Sequence, residues 1–152
     1  MTDLITPDLV DLDLDSALLA VVDRHAATRA LAERLVSAGR VTDLDGFLAD
    51  VRAREAQMPT GIEGGIGIPH ARSAHVTEPA LAFGRSSAGV DFGADDGPAH
   101  LIFLIAAPSG GGSEHMTILA ALARRLVHAE FRSALADAVD PADVADLVNK
   151  EV

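Results

Sequence analysis

The sequence predicts an α/β fold, with a mixed β-sheet flanked by helices on both faces in a single compact domain spanning residues 1–152. The stretch HLIFLIAAP, His100 to Pro108, is so uniformly apolar that it reads as a strand covered on both faces, at the sheet centre. Amphipathic segments at helical spacing lie on either side of it, and strands and helices intermingle without strict βα alternation, which favours a mixed sheet over a regular doubly wound one. With 152 residues, 49% of them hydrophobic, the chain can bury about two thirds of its unfolded surface around one core.

The elements follow in order. VDLDL, Val10 to Leu14, alternates apolar and acidic residues as a half-buried edge strand does, and Asp15 or Ser16 can cap the helix after it. Leu18, Leu19, Val22, His25, Leu31, Leu35 and Val36 recur at helical spacing up to Gly39, a C-terminal stop, with a break near Ala26 or Ala27. Thr42 and Asp45 have the spacing of a capping box, and the helix they open buries Phe47, Leu48 and Val51. Pro59 ends it. A strand starts at Ala80 with ALAFGRSS. Ser109 to His115 is a Gly-rich loop, and MTILAALARRLV is an amphipathic helix beside it. A shorter helix covers Phe131 to Ala138, and Asp140, Pro141 and Asp143 open the last one.

Composition excludes several classes of function. A net charge of -11 opposes binding to phosphate backbones or anionic lipid, so no nucleic acid is expected as a partner. No apolar run approaches the roughly 20 residues of a membrane span, and the N-terminus is acidic where a signal peptide is basic, so a cytoplasmic protein is expected. The absence of cysteine removes thiolate metal sites and Cys nucleophiles. Neither a complete dinucleotide fingerprint nor a Walker loop is present.

The chemistry concentrates in TGIEGGIGIPHARSAHV, Thr60 to Val76. Pro69 restrains the backbone leading into His70 and pushes Ile68 into an extended conformation, which aims the imidazole. Gly64, Gly65 and Gly67 let another backbone or a bulky anion approach. A neutral imidazole has a lone pair near pH 7, and attack on phosphorus gives phosphohistidine, whose charge needs electrostatic stabilisation. Arg54 can supply a planar fork of donors, and His115, opening the helix after the Gly-rich loop, a ring N–H beside free backbone amides. Each has a plainer reading, Arg54 as a surface ion pair and His115 as an exposed helix residue. His75 and His100 read as structural. A zinc site built from His70, His75, His115 and a carboxylate matches no helix-borne motif.

RE at Arg54 and Glu55, PTGI at Pro59 to Ile62, GIGIPHA at Gly65 to Ala71, HLIFLIAAP and SEHMTILAALARRL, in this order, resemble the fructose/mannitol-type enzyme IIA domains of the bacterial phosphoenolpyruvate-dependent sugar phosphotransferase system. The resemblance runs from about Leu14 to Leu135. It implies a mixed sheet with helices on both sides and a phosphotransferase without metal or organic cofactor. His70 then accepts a phosphoryl group from the phosphohistidine of the carrier protein HPr and passes it to a Cys of the enzyme IIB domain. Arg54 and His115 surround the phosphohistidine, and the association with the membrane sugar permease is functional, without insertion. The segments DGPAHLIFLIAAP and EHMTILAALARRL look closer to the fructose branch. Two positions depart from the family pattern: Gly67 stands where Ala is usual and Glu63 where a small residue is usual. Gly67 is expected to loosen the loop. The alternatives are a nitrogen-type regulatory enzyme IIA acting by phosphorylation-dependent protein binding and, from another class, a metal-dependent hydrolase.

Overall fold

The computed structural model describes residues 3–18, 23–110 and 114–152, with the backbone alone for Ala17, Leu18, Glu114 and His115. A 3-10 turn at Pro7–Leu9 leads into β1 (Val10–Asp11) and α1 (Leu14–Leu18), followed by α2 (Arg24–Ser37) and α3 (Leu44–Gln57). Three short strands follow, β2 (Gly61–Ile62), β3 (Ile66–Gly67) and β4 (His70–Ser73), then the long β5 (Ala80–Val90) and β6 (Ala99–Pro108). The chain finishes with α4 (Glu114–Leu126), α5 (Ala129–Asp137) and α6 (Pro141–Glu151).

Among the described residues the sheet has six strands, in the order β1-β5-β6-β3-β2, with β4 also on β6. β5 and β6 run antiparallel, whereas β1 on β5 and both β3 and β4 on β6 are parallel, so the sheet is mixed as expected. β6 lies at its centre. Leu101 through Ala107 are all buried, and since successive side chains point to opposite faces, both faces are covered. α2 packs on β5, α3 on β4 and α4 on β6. Phe83 and Phe103, paired across β5 and β6 with ring centroids 4.8 Å apart, sit in the middle of the core. No helix among the described residues is long and apolar enough to cross a membrane.

Local chemistry explains where the elements differ from expectation. The first strand stops at Asp11, because Asp13 accepts the Ser16 hydroxyl and α1 already begins at Leu14. Asp15 does not cap that helix; its carboxylate takes the Ser86 hydroxyl and the Ala88 N–H, and these bonds, Ser86 first, lower its pKa. Leu19 and Val22, placed in the long helix by the sequence, lie outside the described residues. The break in that helix falls earlier than Ala26, since Asp23 caps α2 by accepting the Ala26 N–H. Gly39, at φ +77°, ends α2 as expected. α3 is capped by Asp43, which accepts from Gly46, and not by Thr42, whose hydroxyl donates to the His75 carbonyl. The other helices and the two long strands begin within two residues of their predicted starts.

Gly67 is not a loosened position. It lies buried in β3, paired with Gly61 and Ile102, and a Cβ there would stand 2.6 Å from Cδ2 and 2.8 Å from Cγ of Phe92. The Phe92 ring, fully buried, occupies the space an alanine methyl would take. Gly67→Ala is therefore expected to destabilise the fold by about 1–3 kcal/mol through overpacking. Adding Phe92→Leu should recover part of the loss. Denaturant midpoints of the single and double variants test this, and purely additive losses would show that the two positions do not exchange volume.

Candidate functional site

β3 and β4 lie end to end along the same edge of β6, Ile66 and Gly67 opposite Leu101 and Ile102, then His70 to Ser73 opposite Ile105 to Pro108. Ile68 and Pro69 interrupt the line because Pro69 has no N–H to donate. The Pro69 carbonyl still accepts from Ile105, at 3.0 Å, so the chain re-enters the sheet at once. The interruption leaves the Ile68 carbonyl to another donor, and His70 Nδ1 takes it at 2.9 Å. A carbonyl oxygen only accepts, so Nδ1 carries the proton, and in the neutral ring the lone pair is on Nε2.

His70 therefore opens a strand and does not lie in a loop. It lines a cleft of about 420 Å³ together with Arg54 and Asp50 of α3, Arg72 of β4 and Met116 and Leu119 of α4. Arg54 stands in the last turn of α3 and donates from Nη1 to the Met58 carbonyl at 3.0 Å, which braces the guanidinium at the helix end. No carboxylate lies within ion-pair distance of Arg54 or Arg72 among the described residues, although acidic residues outnumber basic ones almost twofold. Among the described residues, the surface ion pair that would make Arg54 unremarkable is not formed. Asp50, the one acid lining the cleft among the described residues, accepts the Ser73 hydroxyl at 2.6 Å and pins α3 to β4. His115 is the second residue of α4, next to the cleft-lining Met116; its side chain lies outside the described residues.

Two contributors escape sequence reasoning. Arg72 is two residues from His70 on a strand, hence on the same face, and it donates to the Ser109 carbonyl at 2.9 Å, tying β4 to the start of the loop before α4. The period of two was the available signal, hidden because HARS does not look like a strand. Glu55 turns away from the cleft into the core, where it accepts the Thr60 N–H at 2.9 Å, the Thr60 hydroxyl at 2.6 Å and Arg24 Nη1 at 3.1 Å. The Thr60 carbonyl in turn accepts the Ile68 N–H, so the carboxylate is joined through Thr60 and Ile68 to the His70 ring.

His75 and His100 are engaged elsewhere. His75, a ligand in the metal reading, faces the first turn of α3, its ring over Gly46 and its Nδ1 3.9 Å from Asp43. His100 Nδ1 donates to the Ser86 carbonyl at 2.8 Å. Among the described residues no three of His, Cys, Asp and Glu gather as metal ligands do. A nucleophilic imidazole beside two guanidinium groups suits instead the reception of a compact oxyanion.

Residues 4–151 match the family model for the phosphoenolpyruvate-dependent sugar phosphotransferase system, EIIA 2. A fructose-specific EIIA component of Haloferax volcanii is 40% identical over 153 residues, covering 100% of this chain and 98% of that protein. A fructose-specific EIIABC component of Bacillus subtilis is 36% identical over 99% of this chain, which spans 23% of that longer protein. The crystal structure of the nitrogen regulatory protein IIA-Ntr from Neisseria meningitidis superposes with a TM-score of 0.83 at 25% identity, over 95% of this chain and 96% of that one. With a family model matched over residues 4–151 and a relative 40% identical over the whole chain, the chain belongs to the EIIA 2 family of the phosphoenolpyruvate-dependent sugar phosphotransferase system.

Proposed function

We propose that residues 1–152 act as one cytoplasmic phosphoryl-carrying unit of a fructose-type system, with His70 Nε2 as the acceptor. The observation that carries this reading is the Nδ1 to Ile68 bond, which fixes the tautomer and turns the nucleophilic nitrogen of a half-buried ring toward a cleft bearing Arg54 and Arg72. Nε2 forms a P–N bond as the P–N bond of phospho-HPr breaks, and the electron pair returns to the donor ring. The proton stays on Nδ1, and the Ile68 carbonyl that accepts it offsets the positive charge gained by the ring. Arg54 and Arg72 stabilise the phosphoryl oxygens during transfer, and His115 joins them from the N-terminus of α4. A Cys on an enzyme IIB domain then takes the group; the fused EIIABC arrangement of the Bacillus relative supports such a partner.

Incubating the chain with phosphoenolpyruvate, enzyme I and HPr tests the reading. Intact mass should show one acid-labile phosphoryl group, and nitrogen-resolved NMR of the imidazole should place it on Nε2. A group on Nδ1 would contradict the tautomer argument. Arg54→Gln should slow charging by roughly 10- to 100-fold, the equivalent of one charge-assisted hydrogen bond at ~1.5–3 kcal/mol. Arg72→Gln should slow it by a similar factor, since each guanidinium has one donor held by a carbonyl, Met58 for Arg54 and Ser109 for Arg72, and keeps others for the phosphoryl oxygens. Stopped-flow charging by phospho-HPr measures both, and unchanged rates would remove the arginines from the transfer step.

The superposition on IIA-Ntr favours a second reading, a regulator that binds other proteins according to its phosphorylation. Discharge by an enzyme IIB Cys separates the two. A phosphoprotein that no such Cys can discharge supports the regulator.

A further inference from the structure

A second cavity, of about 490 Å³, lies at the other end of β6 from the phosphoryl site. His100 and Leu101 border it, and His100 lies five residues before Ile105, the partner of His70, a separation of about 16 Å along the strand. Its floor is β5 and β6, its wall is one stripe of α5, and its lip is the Gly64–Gly65 turn. None of the residues lining it is acidic, in a chain of net charge -11; the nearest carboxylates, Asp15 and Asp96, are held from behind the lining by the Ser86 hydroxyl and the Gly64 N–H.

The donors facing this cavity outnumber the acceptors that the protein offers them. Arg85 donates from Nε to Leu12 and from Nη1 to the last carbonyls of α5 and to Ala138, yet its Nη2 has no acceptor among the described residues. Arg132 donates from Nη1 to Leu126 at 2.6 Å, and its Nε and Nη2 have none there. The Ser87 and Ser133 hydroxyls, both exposed, also lack a partner among the described residues. Gly64, at φ +99°, lies under the Arg132 guanidinium, and a Cβ would stand 3.2 Å from its Nε, so the missing side chain lets the cation lie flat over the lip. α5 starts at this cavity with Ala129, and its N-cap, His128, makes no side-chain bond to the first turn. Its first amides therefore add to the positive field.

Two guanidinium groups, two hydroxyls and an uncapped helix start, with no carboxylate among them, define a receptor for an acceptor-rich dianion. We propose that this cavity binds a small phosphate monoester, its phosphate held by Arg85 and Arg132 and the hydroxyls of its organic part by Ser87 and Ser133. A phosphate alone fills only part of about 490 Å³, and the two serines match the hydroxyls of a sugar-sized remainder. The site does not depend on phosphoryl transfer at His70.

Amide NMR titration of the whole chain, with inorganic phosphate, a hexose phosphate and the unphosphorylated hexose at matched ionic strength, tests it. The hexose phosphate should give saturable shifts at Gly64, Ser87, Arg132 and Ser133. Phosphate should reproduce them more weakly, and the hexose should not. Arg132→Gln should weaken binding about 10-fold or more. Should loss of the Leu126 bond perturb α5, the exposed double variant Ser87→Ala/Ser133→Ala provides the second reading and should narrow the preference for hexose phosphate over phosphate. Shifts confined to the His70 cleft, equal binding of the unphosphorylated hexose, or undiminished affinity in Arg132→Gln would each overturn the proposal.

Discussion

His70→Ala is expected to abolish phosphoryl uptake from phospho-HPr while the protein stays folded. The loss should be complete because, among the described residues, no other side chain lining the cleft can replace the ring. Arg54 and Arg72 are not nucleophiles at neutral pH, and Ser73, the nearest hydroxyl on the strand, is buried and donates to Asp50. The structural cost should be small: His70 is half-buried, and its described bond to Ile68 is worth about 1 kcal/mol. Intact mass after charging, together with a thermal melt close to that of the wild type, is the measurement. Retained uptake in His70→Ala would move the acceptor to another side chain. His115→Ala serves as the contrast, since a stabilising role leaves uptake possible but slower, whereas an accepting role would abolish it.

The parts of this site that can be read from the sequence are those with a local cause. Pro69 before His70 signals an aimed ring because the constraint acts between neighbours, and HLIFLIAAP signals a central strand because its burial is continuous. The strand β4 is hidden for the opposite reason. HARS has neither alternation nor β-branched residues, and it is a strand because β6 offers it a parallel edge. Once β4 is missed, Arg72 is missed with it. The cap of α3 moves from Thr42 to Asp43 for a similar reason: the Thr42 N–H and hydroxyl are both taken by the carbonyl of His75, far along the chain. The RE pair is legible as a motif, but only the three-dimensional arrangement separates its members, since a step of about 100° around the helix sends Arg54 to the cleft and Glu55 to the core.

The second large effect is expected at Glu55. Its carboxylate, 8% exposed, accepts three hydrogen bonds and faces Arg24 as an ion pair. Glu55→Ala leaves the Thr60 N–H and hydroxyl buried without an acceptor and leaves Arg24 with only the more distant Asp91, at 3.6 Å. Breaking such an arrangement from one side should cost about 3 kcal/mol, reduced from the upper range because Arg24 remains partly hydrated. The same change should reach the chemistry. Thr60 holds Ile68 through its carbonyl, and Ile68 holds the Nδ1 proton of His70, so a released Thr60 lets the ring swing and dilutes the reactive tautomer geometry. Charging by phospho-HPr should therefore slow well below the temperature at which the variant unfolds. Glu55→Gln, which keeps an acceptor for Thr60 and loses the anion facing Arg24, should recover most of the rate and only part of the stability. Rate and denaturant midpoint falling together in both variants would mean that Glu55 supports the fold alone; a rate restored by Gln without its stability would place it as the group that positions His70.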